Sequence, residues 1–261
     1  MVIVRVLGVC LFVILIACSS ENQSAQVNFI PTLAQKSFNC HSVHQSDKSA
    51  WQFSQVQFFV SEFALQDLDG HWQSLKMRDT AYQTEGVALL GVHCSEPNAA
   101  NWQVEFSQAI DLSLYQNMRF SVGIPFEQNH KNPLTQKSPL NDSSMFWVWQ
   151  TGHKFLRLEM SNSNENWLYH LGSTGCKSPS VMRSPQQACL YPNTVPIELA
   201  LPETTPSSVD VLVNLSALMN EITLNEKTRC QSEVDNATCQ QLLNNLANNG
   251  NTLMFKVNNA L

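Results

Sequence analysis

What most limits the fold of this chain is a period-two alternation of apolar and polar residues. In "NMRFSVGI", Met118, Phe120, Val122 and Ile124 fall on one side, with Arg119, Ser121 and Gly123 between them. In "SVDVLVNL", Val209, Val211, Val213 and Leu215 repeat the pattern. Successive side chains of a strand point to opposite faces, so each run offers one face to a core and the other to polar surroundings. Residues 53 to 65 form another β-rich run, ended by "DLDG", where Asp69-Gly70 is a strong hairpin signal. Helical spacing is scarce, and Pro, Asn and Ser mark the connections. The chain is therefore expected to be all-β, an antiparallel β-sandwich or barrel. Two stretches depart from the pattern. Residues 127–142, "EQNHKNPLTQKSPLND", are polar, hold two prolines and read as a long loop. Near the C-terminus, "CQQLLNNLANN" spaces Leu242, Leu243 and Leu246 for one face of a short helix.

The first residues, "MVIVRVLGVCLFVILIACSS", carry a single positive charge at Arg5, then an apolar run, then Leu15-Ile16-Ala17-Cys18. This is the plan of a secretory signal, and a cysteine directly after Leu-Ile-Ala is the bacterial lipobox pattern. Residues 1–17 thus read as a lipoprotein signal peptide, with Cys18 as the lipidated first residue of the mature chain. Residues 18–26 read as a Ser/Gln-rich tether and 27–261 as a single β domain. Ser19 after the cysteine favours the outer membrane, so the expected location is its periplasmic side or the cell surface, with the membrane met only through the lipid. The net charge of -6 argues against nucleic acid as a partner.

Cys40, Cys94, Cys176, Cys189, Cys230 and Cys239 remain. An even number in an exported chain reads as a disulfide framework, although sequence alone does not choose the pairing. Proximity suggests Cys176 with Cys189 and Cys230 with Cys239, where the latter pair would staple the C-terminal helix, and leaves Cys40 for Cys94. No C-x-x-C or C-x-x-C-H is present to favour thiolate ligation of a metal or covalent haem.

Hydrolase, phosphate-loop and dinucleotide signatures are absent, which leaves histidine and tryptophan to carry chemistry. His130 closes "FEQNH" after a buried strand. His170 opens "HLGSTGC", where glycines allow a sharp turn that a disulfide at Cys176 would fix. His41 and His44 have the spacing of a metal pair on a helical turn, but sit in a loop. Trp147 and Trp149 stand one residue apart in "MFWVWQTGHKFLRLE". On one strand they would share a face, and the bland reading makes both of them core.

Three motifs in fixed order, "FSVGIPFEQNH", "PLNDSSMFWVWQTGHKFLRLE" and "HLGSTGC", resemble one family. It is the methanobactin-associated copper-binding protein family, the four-Cys half of the metallo-mystery pair. The resemblance runs from about residue 27 to residue 239. His153 stands where that family shows tyrosine. The resemblance implies an exported copper-binding protein that is not itself an enzyme. Its partner would be a dihaem protein related to cytochrome c peroxidase, which oxidises one tryptophan to kynurenine. It further implies a copper site made of His130, His170 and Trp147 as kynurenine, with Trp149 and His153 as additional candidates. Imidazole suits copper, and opening the indole ring yields an aryl amine and a ketone in place of one N–H donor. Two other classes compete: a metal-free ligand-binding or adhesive β-sandwich lipoprotein, and a hydrolase whose carboxylates meet only in space.

Overall fold

The computed structural model describes residues 25–202, 208–248 and 253–258. The expected signal at 1–17, Cys18 and the expected tether as far as residue 24 lie outside the described residues.

The alternating segments form strands with the faces their sequence dictates. In the strand Ser208–Asn214, Val209, Val211 and Val213 are buried while their neighbours are half-buried. In Tyr115–Val122, Met118, Phe120 and Val122 are buried. Arg119, between them, lies on the outer face with its guanidinium 4.3 Å from the centre of the Trp72 ring. Two sheets result. The smaller runs Phe255–Val257, Ser208–Asn214, Gln26–Leu33 and Lys36–Ser37 in order, with Gln103–Glu105 also on Gln26–Leu33. The larger is organised by the nineteen-residue strand Ser49–Asp67. Val87–His93, Tyr115–Val122 and Gly152–Ser161 all pair with that strand. Gly152–Ser161 in turn pairs with Asn166–Gly172 and with Phe146–Val148.

The sheets meet through aromatic rings. Phe29 of the smaller sheet packs edge-on against Phe58 and Phe120 of the larger one, with centroids at 6.4 and 5.6 Å, a favoured geometry for aromatic pairs. This is the expected sandwich. One pairing departs from the antiparallel plan, because Gln26–Leu33 and Ser208–Asn214 run parallel. They are far apart in sequence, with the strands of the larger sheet between them, so no hairpin dictates their direction.

Disulfides join Cys40 to Cys94, Cys176 to Cys189 and Cys230 to Cys239, the pairing that proximity suggested. The helix Ala237–Leu246 buries Leu242 and Leu246. Asn236 caps it by accepting the N–H groups of Thr238 and Cys239. Through Cys230 the staple reaches the larger sheet: the Cys230 N–H donates to Leu168 O, and the His170 N–H donates to Cys230 O. The segment 127–142 is not featureless. It contains the end of a helical turn, Phe126–Asn129, and a second tight turn at Pro133–Thr135.

Candidate metal centre

The two tryptophans do not share a strand face. Trp147 lies in Phe146–Val148, but Trp149 belongs to the turn that leads into Gly152–Ser161. Pairing of Val148 with Gly152 leaves Trp149, Gln150 and Thr151 to close the connection, with the Thr151 N–H donating to Val148 O. Both indoles are half-buried, so neither is a core residue. Each meets a different histidine.

Trp147 lies over the end of Asn166–Gly172, its ring 6.4 Å from that of His170 and tilted by 55°. Gly172 makes room for it: a β-carbon there would stand 2.6 Å from Trp147 Cζ3. The segment is held from below by two cations. Lys154 Nζ donates to the carbonyls of Ser144 and Phe146, and Arg157 Nη1 donates to Ser144 O.

His170 is not presented by a turn, as "HLGSTGC" suggested, but from within a strand, directly opposite Arg157. It is only 7% exposed. Its Nε2 is 2.7 Å from Glu159 Oε1, which also accepts from Arg157 Nε at 2.6 Å. Burial opposes ionisation of Glu159, but the hydrogen bonds from His170 and Arg157, with the Arg157 charge, outweigh it and bring the carboxyl down to about 2. The other ring nitrogen of His170, Nδ1, is buried with no hydrogen-bond partner among the described residues.

His130 ends the turn Phe126–Asn129 and is buried. Trp149 Nε1 donates to its carbonyl at 2.7 Å, and its Nδ1 faces Trp149 O at 3.4 Å. Asn129 Nδ2 lies 3.3 Å from His130 Nε2. Burial pushes the His130 imidazole below its usual pKa, against the pull of the Trp149 carbonyl, which favours the neutral ring. Cys176 and Cys189 come close enough to group with His130, and Cys189 Sγ is 3.5 Å from Nε2. Those sulfurs are bonded to each other and offer no thiolate.

His153 is fully buried, and both its ring nitrogens face oxygen. Nδ1 is 3.2 Å from Asn129 Oδ1 and Nε2 is 2.8 Å from Leu140 O. It ties the 127–142 segment to the sheet between the rings of Phe59 and Phe146, and presents no vacant nitrogen. His44 lies on the strand Val43–Ser46 opposite Trp51, so it and His41 do not form a helical pair.

Three residues of the site had not been singled out from sequence. Asn129 is a hub: Oδ1 accepts the His153 N–H, while Nδ2 reaches His130, Thr151 O and Ser173 Oγ. Arg157 and Glu159 complete the His170 environment. Their signal is present in "FLRLE", where two charges alternate with leucines.

Fold and site together define a disulfide-stapled β-sandwich with a buried imidazole, one nitrogen of it unpaired among the described residues, whose ring lies 6.4 Å from an indole. The chain belongs to the MbnP family, whose model matches residues 22–238. Among solved structures it is similar to MbnP from Methylosinus trichosporium, with a TM-score of 0.70 and 24% identity over 86% of this chain and 88% of that one. That identity speaks for the fold. A search of curated proteins found no match. The methanobactin-associated family read from the three motifs is thus the family of this chain.

Proposed function

We propose that this protein is an exported, lipid-anchored copper binder, and the substrate of a dihaem partner rather than a catalyst. In this reading Trp147 is the residue converted to kynurenine. The observation that carries it is the buried Nδ1 of His170, without a partner among the described residues, on a ring 6.4 Å from that of Trp147. Leaving such an atom unpaired costs about 1–3 kcal/mol, and a bound cation would remove that cost. The donor chemistry fits copper, for which neutral imidazole is a suitable ligand. His130, kept neutral by burial, is the second imidazole. The two halves of the site are connected, since Asn129 Nδ2 reaches both His130 Nε2 and Ser173 Oγ, and Ser173 follows the glycine on which Trp147 rests.

The chain's own residues hold the reactants in place. Lys154 and Arg157 fix the backbone before Trp147, Gly172 admits the indole, and Glu159 orients His170. Conversion of Trp147 breaks the C2–C3 bond of the indole. C2 and C3 each gain one oxygen atom in a four-electron oxidation by two molecules of hydrogen peroxide, which leave as two waters, and hydrolysis then releases C2 as formate to leave the aryl amine and ketone. The partner protein supplies the haem for this step. Cys18 supplies the lipid anchor at the periplasmic side of the outer membrane or the cell surface.

Copper loading followed by desalting and metal analysis tests the reading. Wild-type protein should retain copper, while His170→Ala should lose most of it with an unchanged circular dichroism spectrum. Equal copper retention by wild type and the His130→Ala, His170→Ala double variant would remove these residues from the site.

A further inference from the structure

We infer that Glu159, braced by Arg157, is the positioning residue that sets the tautomer of His170, keeping the proton on Nε2 and leaving Nδ1 as the bare lone pair of a ring that lies 6.4 Å from that of Trp147. The inference rests on the copper reading for the identity of the ligand, and adds which atom binds and what prepares it.

The hydrogen-bond geometry decides the tautomer. Glu159 Oε1 already accepts from Arg157 Nε at 2.6 Å, and a guanidinium can only donate. The same oxygen lies 2.7 Å from His170 Nε2, so the proton of that contact sits on the nitrogen. In the neutral ring, which carries one N–H, that proton is on Nε2 and Nδ1 bears the lone pair. The opposite tautomer meets two penalties. It sets the Nε2 lone pair against an oxygen at hydrogen-bond distance, and it aims an N–H from Nδ1 into surroundings that offer it no acceptor. His170 is only 7% exposed, so bulk solvent does little to relieve either one. A carboxylate on the far nitrogen of a metal-binding histidine orients the ring and raises its basicity, and its loss commonly lowers metal affinity 10–100-fold.

Arg157 gives this device a second consequence. Its Nε braces Glu159, while its Nη1 holds Ser144 O, in the segment that carries Trp147. One guanidinium therefore sets both the ligand nitrogen and the indole above it. Orientation of the imidazole and placement of the tryptophan are expected to fail together when Arg157 is lost.

Long-range proton–nitrogen correlation spectra of the full metal-free protein, labelled with nitrogen-15, read the tautomer directly. The expected result is a protonated Nε2 and an unprotonated Nδ1 at His170, with Cu(I) shifting the Nδ1 resonance. Glu159→Gln keeps the shape and is expected to weaken copper binding by about tenfold or more while the apo protein keeps its circular dichroism spectrum. Glu159→Asp, which restores a carboxylate, should recover part of the loss. A protonated Nδ1 in the wild type would overturn the inference, as would copper binding through Nε2 or undiminished affinity in Glu159→Gln. Wild-type protein that shows the expected tautomer but takes up no copper would sink the copper reading and leave the role of Glu159 standing.

Discussion

Replacing Gly172 by alanine probes the seat of Trp147 without altering a charge. The added β-carbon would stand 2.6 Å from Trp147 Cζ3, 3.2 Å from its Cη2 and 2.7 Å from the carbonyl oxygen of His153. Carbon atoms rest at about 3.5–4.0 Å from one another, so the indole has to withdraw by roughly 1 Å. Overpacking of this kind costs about 1–3 kcal/mol. The two tryptophan atoms belong to the distal indole ring, which phenylalanine lacks. In a Trp147→Phe background the alanine should therefore cost less, because only the conflict with His153 O remains. A double-mutant cycle by urea unfolding, with the disulfides intact, should return a coupling of about 1 kcal/mol. That is well above the roughly 0.3–0.5 kcal/mol within which independent sites add. Strictly additive costs would show that Trp147 does not rest on Gly172, and the proposed geometry around His170 would fail with it.

Three further outcomes follow from named contacts. Cys40 and Cys94 are 54 residues apart and Cys230 and Cys239 only 9, so serine replacement of the first pair should cost about 4 kcal/mol and of the second about 3 by chain entropy; thermal unfolding in the reverse order would refute the ranking. The Glu159 carboxyl falls from its ordinary 4.5 to about 2 in the folded protein, a depressed value, so its stabilisation is present above about 4.5 and is lost as pH falls toward 2. That contribution is of order 3 kcal/mol for a side chain 24% exposed, and Glu159→Gln should flatten the stability profile across this window; an unchanged profile would contradict the assigned network. Exposure to the dihaem partner and peroxide should convert one tryptophan, which peptide mapping should place between Met145 and Lys154. Trp147→Phe should abolish that conversion, and modification confined to Trp51 or Trp167, both fully buried, would refute it.

Much of the fold was legible because period two and cysteine spacing are local signals. Val209, Val211 and Val213 announced their buried face, and the closely spaced cysteines announced their partners. The parallel pairing of Gln26–Leu33 with Ser208–Asn214 was not legible, because it joins strands with no local connection. The site was half visible. His130, His170 and Trp147 stood out as residue types in family motifs, but their geometry did not. The turn at Trp149 depends on Val148 pairing with Gly152, a register that alternation along "FWVWQ" does not reveal. His170 looked like a residue of a glycine-rich turn, although the strand continues through Gly172. Arg157 and Glu159 acquire meaning only when Asn166–Gly172 lies beside them. His153 is spent on Asn129 and Leu140, partners that no spacing discloses.

The central claim is that copper sits against His170 under Trp147. Crystals of the copper-loaded protein, measured at the copper absorption edge, test it most directly. The account predicts an anomalous peak at bonding distance, about 2 Å for a metal–imidazole contact, from His170 Nδ1 and adjoining residue 147. A single peak elsewhere, such as beside Glu233 and the Cys230–Cys239 disulfide, with none at His170, would contradict it.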